Sequence, residues 1–193
     1  MTTTKYIVSF SGGKDSTATW LYCGLELGLD VECVFADTLH EADGRDGVPR
    51  DLYDYLDYLE RDRGMPLVRV HGRLKQLRAD LPDVPLSMLS LAKHKGRFAS
   101  GTARFCTTEL KLKPLREYLL LRAAQEPGTR FIMVSGVRAD ESPSRANLAP
   151  RCADDFMGTE RWLPIHDWTV EDVFAIHRRH GVAPNPLYQQ GMT

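Results

Sequence analysis

The sequence predicts an α/β domain with a doubly wound, mainly parallel five-stranded sheet and helices on both faces. Short apolar runs alternate with amphipathic helical segments, and this alternation is typical of βαβ units. The length of 193 residues suits a single domain over residues 1–193. Four apolar runs bounded by turn residues are predicted as buried strands: Lys5–Phe10, Val31–Ala36, Leu67–Val70 and Phe131–Ser135.

Helical periodicity fills the spaces around these strands. The predicted helices cover residues 15–28, 51–64, 114–128 and 169–181. Pro114 suits the first turn of the third helix, because its missing N–H has no partner there in any case. Thr169 is a predicted N-cap, with Asp172 at the capping-box position three residues later.

Two stretches lack clear periodicity, at about residues 81–105 and 136–164. Both are longer than ordinary connections in a compact α/β domain, so we expect functional loops there. The first contains "KHKGRF" and then "SGTAR", a basic stretch that suits a lid over phosphates, a contact for an acidic substrate, or a solvated loop.

Composition and charge are those of an ordinary globular protein, with 42% hydrophobic residues and a formal net charge of -1. This balance gives no overall basic footprint, so only a local basic patch would support direct nucleic-acid binding, which the sequence leaves open. The apolar run at the start of the sequence is too short for a signal peptide, and no apolar run approaches the roughly 20 residues of a membrane span. The prediction is a cytoplasmic protein with no membrane partner.

The stretch from Ser9 to Ser16 reads "SFSGGKDS" and joins the first strand to the first helix. Gly12 and Gly13 allow a sharp turn that brings backbone N–H groups close to a ligand. Lys14 supplies a positive charge, which together with a helix N-terminus attracts an anion. The spacing differs from that of the P-loop, G-x-x-x-x-G-K-[ST]. Asp15 would repel phosphate unless it is neutralised, and is interpreted as a helix cap or a magnesium partner.

"SGGKDS" resembles the pyrophosphate-binding loop of the PP-loop ATP pyrophosphatases, also called adenine nucleotide alpha hydrolases. The resemblance implies ATP and Mg2+ as cofactors and cleavage between the α- and β-phosphates. It implies that Lys14 and the backbone amides stabilise the charge that develops on the bridging oxygen. The implied nucleotide-binding residues are Ser9, Ser11, Gly12, Gly13, Lys14, Asp15 and Ser16.

Further segments are similar to the 3′-phosphoadenylylsulfate (PAPS) reductase-like branch of that superfamily. "VFADTLHE" resembles an acidic stretch beside the adenosine, which adds Asp37 and Thr38 to the nucleotide site. "SGVRADESPSRA" resembles a loop in which Gly136 allows close approach. The other similar segments are "RFCTTELKLKPLREYL" (Arg104–Leu120) and a carboxyl-terminal reductase-like segment at about residues 163–193.

The branch implies roles for the basic residues of these segments. Lys111, Arg138 and Arg145 are predicted to hold the acceptor or the distal anion. The predicted catalytic residues are Lys14, Asp15 and Arg138, and Asp15 is the predicted Mg2+ ligand.

Four cysteines occur, at Cys23, Cys33, Cys106 and Cys152, and none forms a Cys-x-x-Cys pair. We therefore expect no complete iron–sulfur site on this chain. Cys106, near Arg104, is a candidate thiolate, and an incidental structural cysteine is the alternative. The six histidines show no ligand spacing and are predicted to be solvated: His40, His71, His94, His166, His177 and His180.

The favoured function is adenylyl transfer from ATP with pyrophosphate release, to an unknown acceptor in sulfur-related or nucleic-acid-modification metabolism. One alternative is a PAPS or adenylylsulfate (APS) reductase, or a sulfur-transfer subunit, that needs a redox or sulfur-donor protein partner. A second is a non-catalytic nucleotide-sensing module. The sequence leaves a homo-oligomer open.

Overall fold

The computed structural model describes residues 3–39, 51–101 and 103–190. Its strands are β1 (Thr4–Phe10), β2 (Val31–Ala36), β3 (Leu67–Val70), β4 (Arg130–Ser135), β5 (Arg151–Asp154) and β6 (Thr159–Trp162). Its α-helices are α1 (Lys14–Trp20), α2 (Asp51–Arg63), α3 (Met88–Lys95), α4 (Lys113–Gln125), α5 (Pro143–Ala146) and α6 (Val170–Arg179). Helix α1 continues into a wider π-helical stretch at Leu21–Glu26, and another at Thr107–Leu112 leads into α4. Three short 3-10 turns cover Leu74–Gln76, Ala139–Glu141 and Pro186–Gln190.

The sheet confirms the predicted mainly parallel α/β fold, with the order β3-β2-β1-β4-β6-β5. Only β5 runs antiparallel, paired with β6. The described sheet therefore has six strands where five were predicted, four of them by residue range. The two strands outside those four ranges, β5 and β6, lie inside the stretch 136–164 that was predicted to be a loop. Neither strand has an apolar run, so their periodicity gave no signal.

Helices cover both faces of the sheet because side chains alternate along each strand. Val8 belongs to a core cluster with residues of α1, α2 and α6, such as Ala18, Leu56 and Ile176. Ile7, its neighbour, belongs to a second cluster with Leu115 and Leu119 of α4 and with other strand residues. Both neighbours are fully buried.

The helix predictions are confirmed to within a few residues. Thr169 caps α6, where its side chain accepts a hydrogen bond from the Asp172 amide, and the Asp172 carboxylate accepts one from the Thr169 amide. The stretch 81–105 holds a helix, α3, that was not predicted. Within the described residues no helix is long and apolar enough to span a bilayer.

The chain reverses direction across the sheet between β1 and β4. From β1 the strands run outward through β2 to β3, and from β4 they run the other way through β6. In open α/β sheets, ligands bind beside the carboxyl ends of the strands at such a switch point. The loop that follows β1 and the loop that follows β4 both lie at this edge.

Candidate functional site

The glycine-rich loop after β1 forms a tight turn held by serine hydroxyls. Gly12 adopts a positive φ of 75°, which favours glycine over residues with a side chain. The Ser11 and Ser16 hydroxyl oxygens are 3.1 Å apart, and the Ser16 hydroxyl donates to the Gly13 carbonyl at 3.0 Å. Gly13, rather than Asp15, is the N-cap of α1. The predicted loop residues therefore come together in one turn.

Gly12 is also required by packing. A Cβ atom placed on it would lie 2.4 Å from Cδ1 of Leu52, on helix α2. This distance is far inside van der Waals contact, so the Leu52 side chain would have to shift to admit a side chain at this position.

Lys14, Asp15 and Arg138 form a chain of charges at the start of α1. The Lys14 ammonium lies 3.2 Å from one oxygen of the Asp15 carboxylate. The Arg138 Nε donates to the other oxygen at 2.6 Å. Arg138 follows β4, so the charge chain joins the two loops at the switch point. Each oxygen of the Asp15 carboxylate is therefore paired with a cation.

Arg138 is buried, with 5% of its surface exposed. Burial alone would lower the pKa of Arg138, but hydrogen bonds and charge pairing with Asp15 and Asp140 outweigh it and leave the pKa above its ordinary value. Its Nη1 group donates to both oxygens of Asp140 at 2.6 Å. Arg138 is thus enclosed by carboxylates and not presented as an open grip for an acceptor, the role that the sequence suggested.

Asp15 does not fit the predicted role of a magnesium ligand in this arrangement, because each carboxylate oxygen already contacts a cation. In the described part of the chain, no three His, Cys, Asp or Glu side chains come together as a candidate metal site. No step below is assigned to a metal.

Residues 182–188, near the end of the described chain, form hydrogen bonds with the glycine-rich loop. We call this segment the carboxyl-terminal strap. The buried Asn185 side chain donates to the Gly12 carbonyl at 3.0 Å. The Tyr188 hydroxyl accepts from the Lys14 amide at 3.0 Å, and the Lys14 ammonium lies 5.0 Å from the centre of the Tyr188 ring. Tyr55 of α2 completes the attachment by donating to the Ala183 carbonyl.

Two histidines are buried, although all six were predicted to be solvated, and one of them, His177, contacts the glycine-rich loop. His177 is 1% exposed, and its Nε2 lies 2.9 Å from the Lys14 carbonyl oxygen. His166 is 6% exposed and lies between the Arg145 carbonyl, at 3.0 Å, and the Asp167 carboxylate, at 3.1 Å. The solvated prediction is wrong for these two because tertiary packing, which periodicity does not report, covers them. His40 lies outside the described residues.

Asp37 and Thr38 follow β2 at the same edge of the sheet. One oxygen of Asp37 accepts from the Leu39 amide and from the Tyr53 hydroxyl, both at 2.8 Å. Leu39 has a positive φ of 53°, so this carboxylate holds a strained turn in place. Thr38 is buried, at 4% exposed. The remaining part of that motif, residues 40–41, lies outside the described residues.

Gly136, a predicted nucleotide-binding residue, packs closely against helix α1. A Cβ atom there would lie 2.7 Å from the Asp15 carbonyl oxygen and 2.6 Å from the Thr19 hydroxyl. The structure thus gives Gly136 a packing role that positions Asp15.

Ser9 lies one residue before the end of β1 and lines a cavity with a volume of about 270 Å³. The paired residue on β4, Ser135, lines it too, together with Met133 and with Leu115 of α4. The cavity therefore lies at the switch point, on the face of the sheet that α4 covers.

The other predicted basic residues are less enclosed. Arg145 is exposed and pairs with Glu141. Lys111 is exposed on the π-helical stretch before α4. Neither joins the chain formed by Lys14, Asp15 and Arg138.

The cysteines fall into two classes. Cys23 and Cys33 are fully buried; burial raises the pKa of the Cys23 thiol to about 12 and raises that of Cys33 well above its ordinary value. Cys106 and Cys152 are partly exposed. Cys106 packs at the side of a small cluster formed by Leu86, Leu91 and Leu110.

Sequence reasoning missed Asn185 and Tyr188 as parts of the site. The signal was present as a polar residue between two prolines, in "PNPLY", but only the fold shows that this segment reaches the loop.

Proteins of known sequence are similar to this chain. A protein of 37.8 kDa from Escherichia phage 186 is 38% identical over 221 residues, covering 96% of this chain and 63% of that protein. An adenosine 5′-phosphosulfate reductase from Allochromatium vinosum is 31% identical over 145 residues, covering 75% of this chain and 50% of the reductase. The chain thus spans between half and two thirds of the length of these relatives.

A solved structure has the same fold. The phosphoadenylyl-sulfate reductase from Candida auris, in a phosphate complex, aligns with a TM-score of 0.58 at 18% identity, over 97% of this chain and 78% of that one. The family model for the phosphoadenosine phosphosulfate reductase domain matches residues 5–193, which include the loop, the charge chain and the strap. The chain belongs to the phosphoadenosine phosphosulfate reductase domain family.

Proposed function

We propose that this chain binds ATP and cleaves it between the α- and β-phosphates, transferring the adenylyl group to an acceptor and releasing pyrophosphate. An oxygen of the acceptor forms a bond to the α-phosphorus. The bond from that phosphorus to the bridging oxygen breaks, pyrophosphate leaves with its electron pair, and the acceptor's proton goes to solvent. The observation that supports this most is the neutralisation of Asp15 by Arg138, beside the loop.

Lys14 is the group assigned to the leaving pyrophosphate. Its ammonium lies against Asp15 in the described structure, but Asp15 shares its charge with the buried Arg138 at a shorter distance of 2.6 Å. A β-phosphate of higher charge therefore competes well for Lys14. The lysine would then stabilise charge on the bridging oxygen as it develops.

Arg138 is assigned as a positioning residue, because it acts through Asp15. Asp37 and the cavity beside Ser9 flank the carboxyl end of β1, where the nucleoside portion is placed in this proposal. The cavity volume of about 270 Å³ is close to the smaller small-molecule sites, at roughly 300 Å³.

A second candidate is binding and reduction of a sulfonucleotide, with electrons supplied by the thiols of a partner protein. The relationship to the Allochromatium vinosum reductase favours it. Cys106, which is partly exposed, lies within the segment Arg104–Leu120 that resembles the reductase-like branch.

The test is calorimetric titration with Mg-ATP, PAPS and APS, followed by phosphorus NMR of the products. We expect ATP to bind, and Lys14→Ala to weaken binding about 10- to 100-fold, because a charge-assisted contact to phosphate is lost. Lys75→Ala, which removes a half-exposed lysine paired with Asp83, is the matched control and should leave affinity unchanged.

Two ATP analogues identify the bond that breaks. A β,γ-methylene analogue should still release AMP or an adenylylated product, whereas an α,β-methylene analogue should bind and stay intact. Release of ADP, or binding of PAPS or APS in preference to ATP, would contradict the adenylyl-transfer proposal. A preference for a sulfonucleotide would support the second candidate.

A further inference from the structure

A run of the chain without acidic residues lies next to the edge of the sheet that carries the glycine-rich loop. No Asp or Glu occurs between Asp83 and Glu109, whereas Lys93, Lys95, Arg97 and Arg104 lie within that interval. We call these four residues the basic segment. All four are exposed, as is His94.

The cations of the basic segment are not neutralised by the described residues. None of Lys93, Lys95 and Arg97 forms an ion pair there, and the Arg104 guanidinium contacts only the Gly101 carbonyl. Basic residues elsewhere are commonly paired. Arg69 contacts both Asp57 and Glu60, and other paired cations are Arg73, Lys75, Arg78, Lys113 and Arg122. The contrast marks this segment as a concentrated positive surface on a chain of net charge -1.

An exposed aromatic ring lies among these charges. Helix α3 ends at Lys95 and is capped by Gly96, which adopts the left-handed conformation with a φ of 67°. Phe98 lies two residues after this cap and is 67% exposed, the highest value among the large exposed hydrophobic side chains of the described residues. An exposed aromatic ring between cations can serve as a stacking surface for a base.

The base of the segment is fixed beside the candidate site. The Met88 amide, at the start of α3, donates to the Thr38 carbonyl at 3.1 Å, and the Leu86 amide donates to Gly72 at 2.8 Å. Leu91, which precedes the basic segment, and Leu110, which follows it, pack in one small cluster. Thr38 follows β2, the neighbour of β1, so the basic segment projects from the edge that carries the loop.

We infer that the basic segment and Phe98 bind a single strand of nucleic acid. The lysines and arginines that have no ion pair with the described residues contact successive phosphates, and the exposed ring stacks on an unpaired base. A single strand is favoured over a duplex, because a ring that enters a duplex must first unstack a base step. The binding stands independently of the proposed nucleotide chemistry, and Lys14 has no part in it.

The test is fluorescence anisotropy of the whole chain with fluorescein-labelled 20-nucleotide single strands of DNA and RNA, from 50 to 200 mM salt. We expect the triple variant Lys93→Glu, Lys95→Glu and Arg97→Glu to lose at least tenfold in affinity. The slope of log affinity against log salt should flatten by about 2, as three phosphate contacts are lost. Phe98→Ala should weaken binding about fivefold or more with the slope unchanged.

A matched control removes the same charge from exposed arginines on α2, α4 and α6, through Arg61→Glu, Arg116→Glu and Arg178→Glu. It should retain most of the affinity. An equal loss in the control triple would overturn the inference, because binding would then follow net charge alone. Competition by polyglutamate as strong as by an unlabelled strand would overturn it too, in favour of an acidic protein. No binding at 50 mM salt would also refute it.

Discussion

Arg138 provides Asp15 of the glycine-rich loop with a partner that the sequence pattern did not predict. Asp15 was interpreted as a helix cap or a magnesium partner, and Arg138 was predicted to be catalytic and to hold the acceptor or the distal anion. The structure joins the two at 2.6 Å, in a site where Arg138 is 5% exposed. A buried charge is tolerated when it is paired. Arg138 therefore has a clear electrostatic partner before any ligand enters.

Gly136 provides a test of that junction. We expect Gly136→Ala to lower the free energy of unfolding by about 1–3 kcal/mol, because its Cβ would overlap the Asp15 backbone. Gly101→Ala is the control, since the space around Gly101 is open. Urea denaturation monitored by fluorescence measures both. Equal stability of the two variants would show that α1 yields easily to the added atom.

The cysteines give a second residue-scale prediction. In the native protein, a thiol reagent should modify Cys106 and Cys152 quickly, because both are partly exposed. Cys23 and Cys33 should react only as the protein unfolds, because they are buried and their raised pKa values disfavour the thiolate. Mass spectrometry after timed alkylation identifies the modified residues. Fast labelling of Cys33 would contradict the burial described here.

The carboxyl-terminal strap joins the glycine-rich loop to a segment near the end of the described chain. Asn185 is 3% exposed; its amide nitrogen donates to Gly12 and its oxygen accepts from the Leu187 amide. Two backbone groups would lose partners together if this side chain were removed. The loop after β1 is therefore held in shape by a segment that is remote in sequence.

We expect Asn185→Ala to destabilise the protein by about 1–3 kcal/mol, the usual cost of leaving buried polar groups unsatisfied. It should also weaken nucleotide binding, because the Gly12 turn loosens. Asn147→Ala, which removes an exposed asparagine bonded to the Pro143 carbonyl, is the control. Thermal unfolding and calorimetric titration are the measurements. If nucleotide affinity stays at the wild-type value, the strap has no role in shaping the loop.

At the scale of the whole molecule, His166 links overall stability to pH. Its hydrogen bond to the Arg145 carbonyl raises its pKa, burial opposes this, and Asp167 adds to the rise, so the pKa lies above its ordinary value. A raised folded-state pKa means that the protonated ring stabilises the native state. This contribution is fully present below the ordinary pKa of about 6.5 and is lost as the pH rises through the folded-state value.

His166→Gln should therefore cost more stability at pH 5.5 than at pH 8.5, with the difference from the wild type narrowing as the pH rises. Denaturant unfolding across that range measures it. His94→Gln, at an exposed position, should follow the wild-type curve. A constant difference at every pH would show that the ring acts only through packing.

The sequence was most informative where a segment's own pattern decides its structure. The strands through β4 and the glycine-rich turn were predictable because apolar runs and turn residues are local signals. The β5–β6 hairpin was not, since "RCAD" and "TERW" become strands by pairing with β4 rather than by periodicity. Helix α3 was hidden by its length of 8 residues and its basic end. The Arg138–Asp15 pair and the strap depend on contacts across more than a hundred residues.

The strap also has a consequence for how this protein is made. A ribosome delivers Gly12 early, but Asn185, its partner, follows 173 residues later. At about 5–20 residues per second, roughly ten seconds or more of synthesis separate the two. During that interval, the Gly12 carbonyl of the nascent chain has no hydrogen bond from Asn185. The loop after β1 thus reaches its described arrangement only once the strap has been synthesised, and a chain interrupted before the strap would lack the Asn185 hydrogen bond to Gly12.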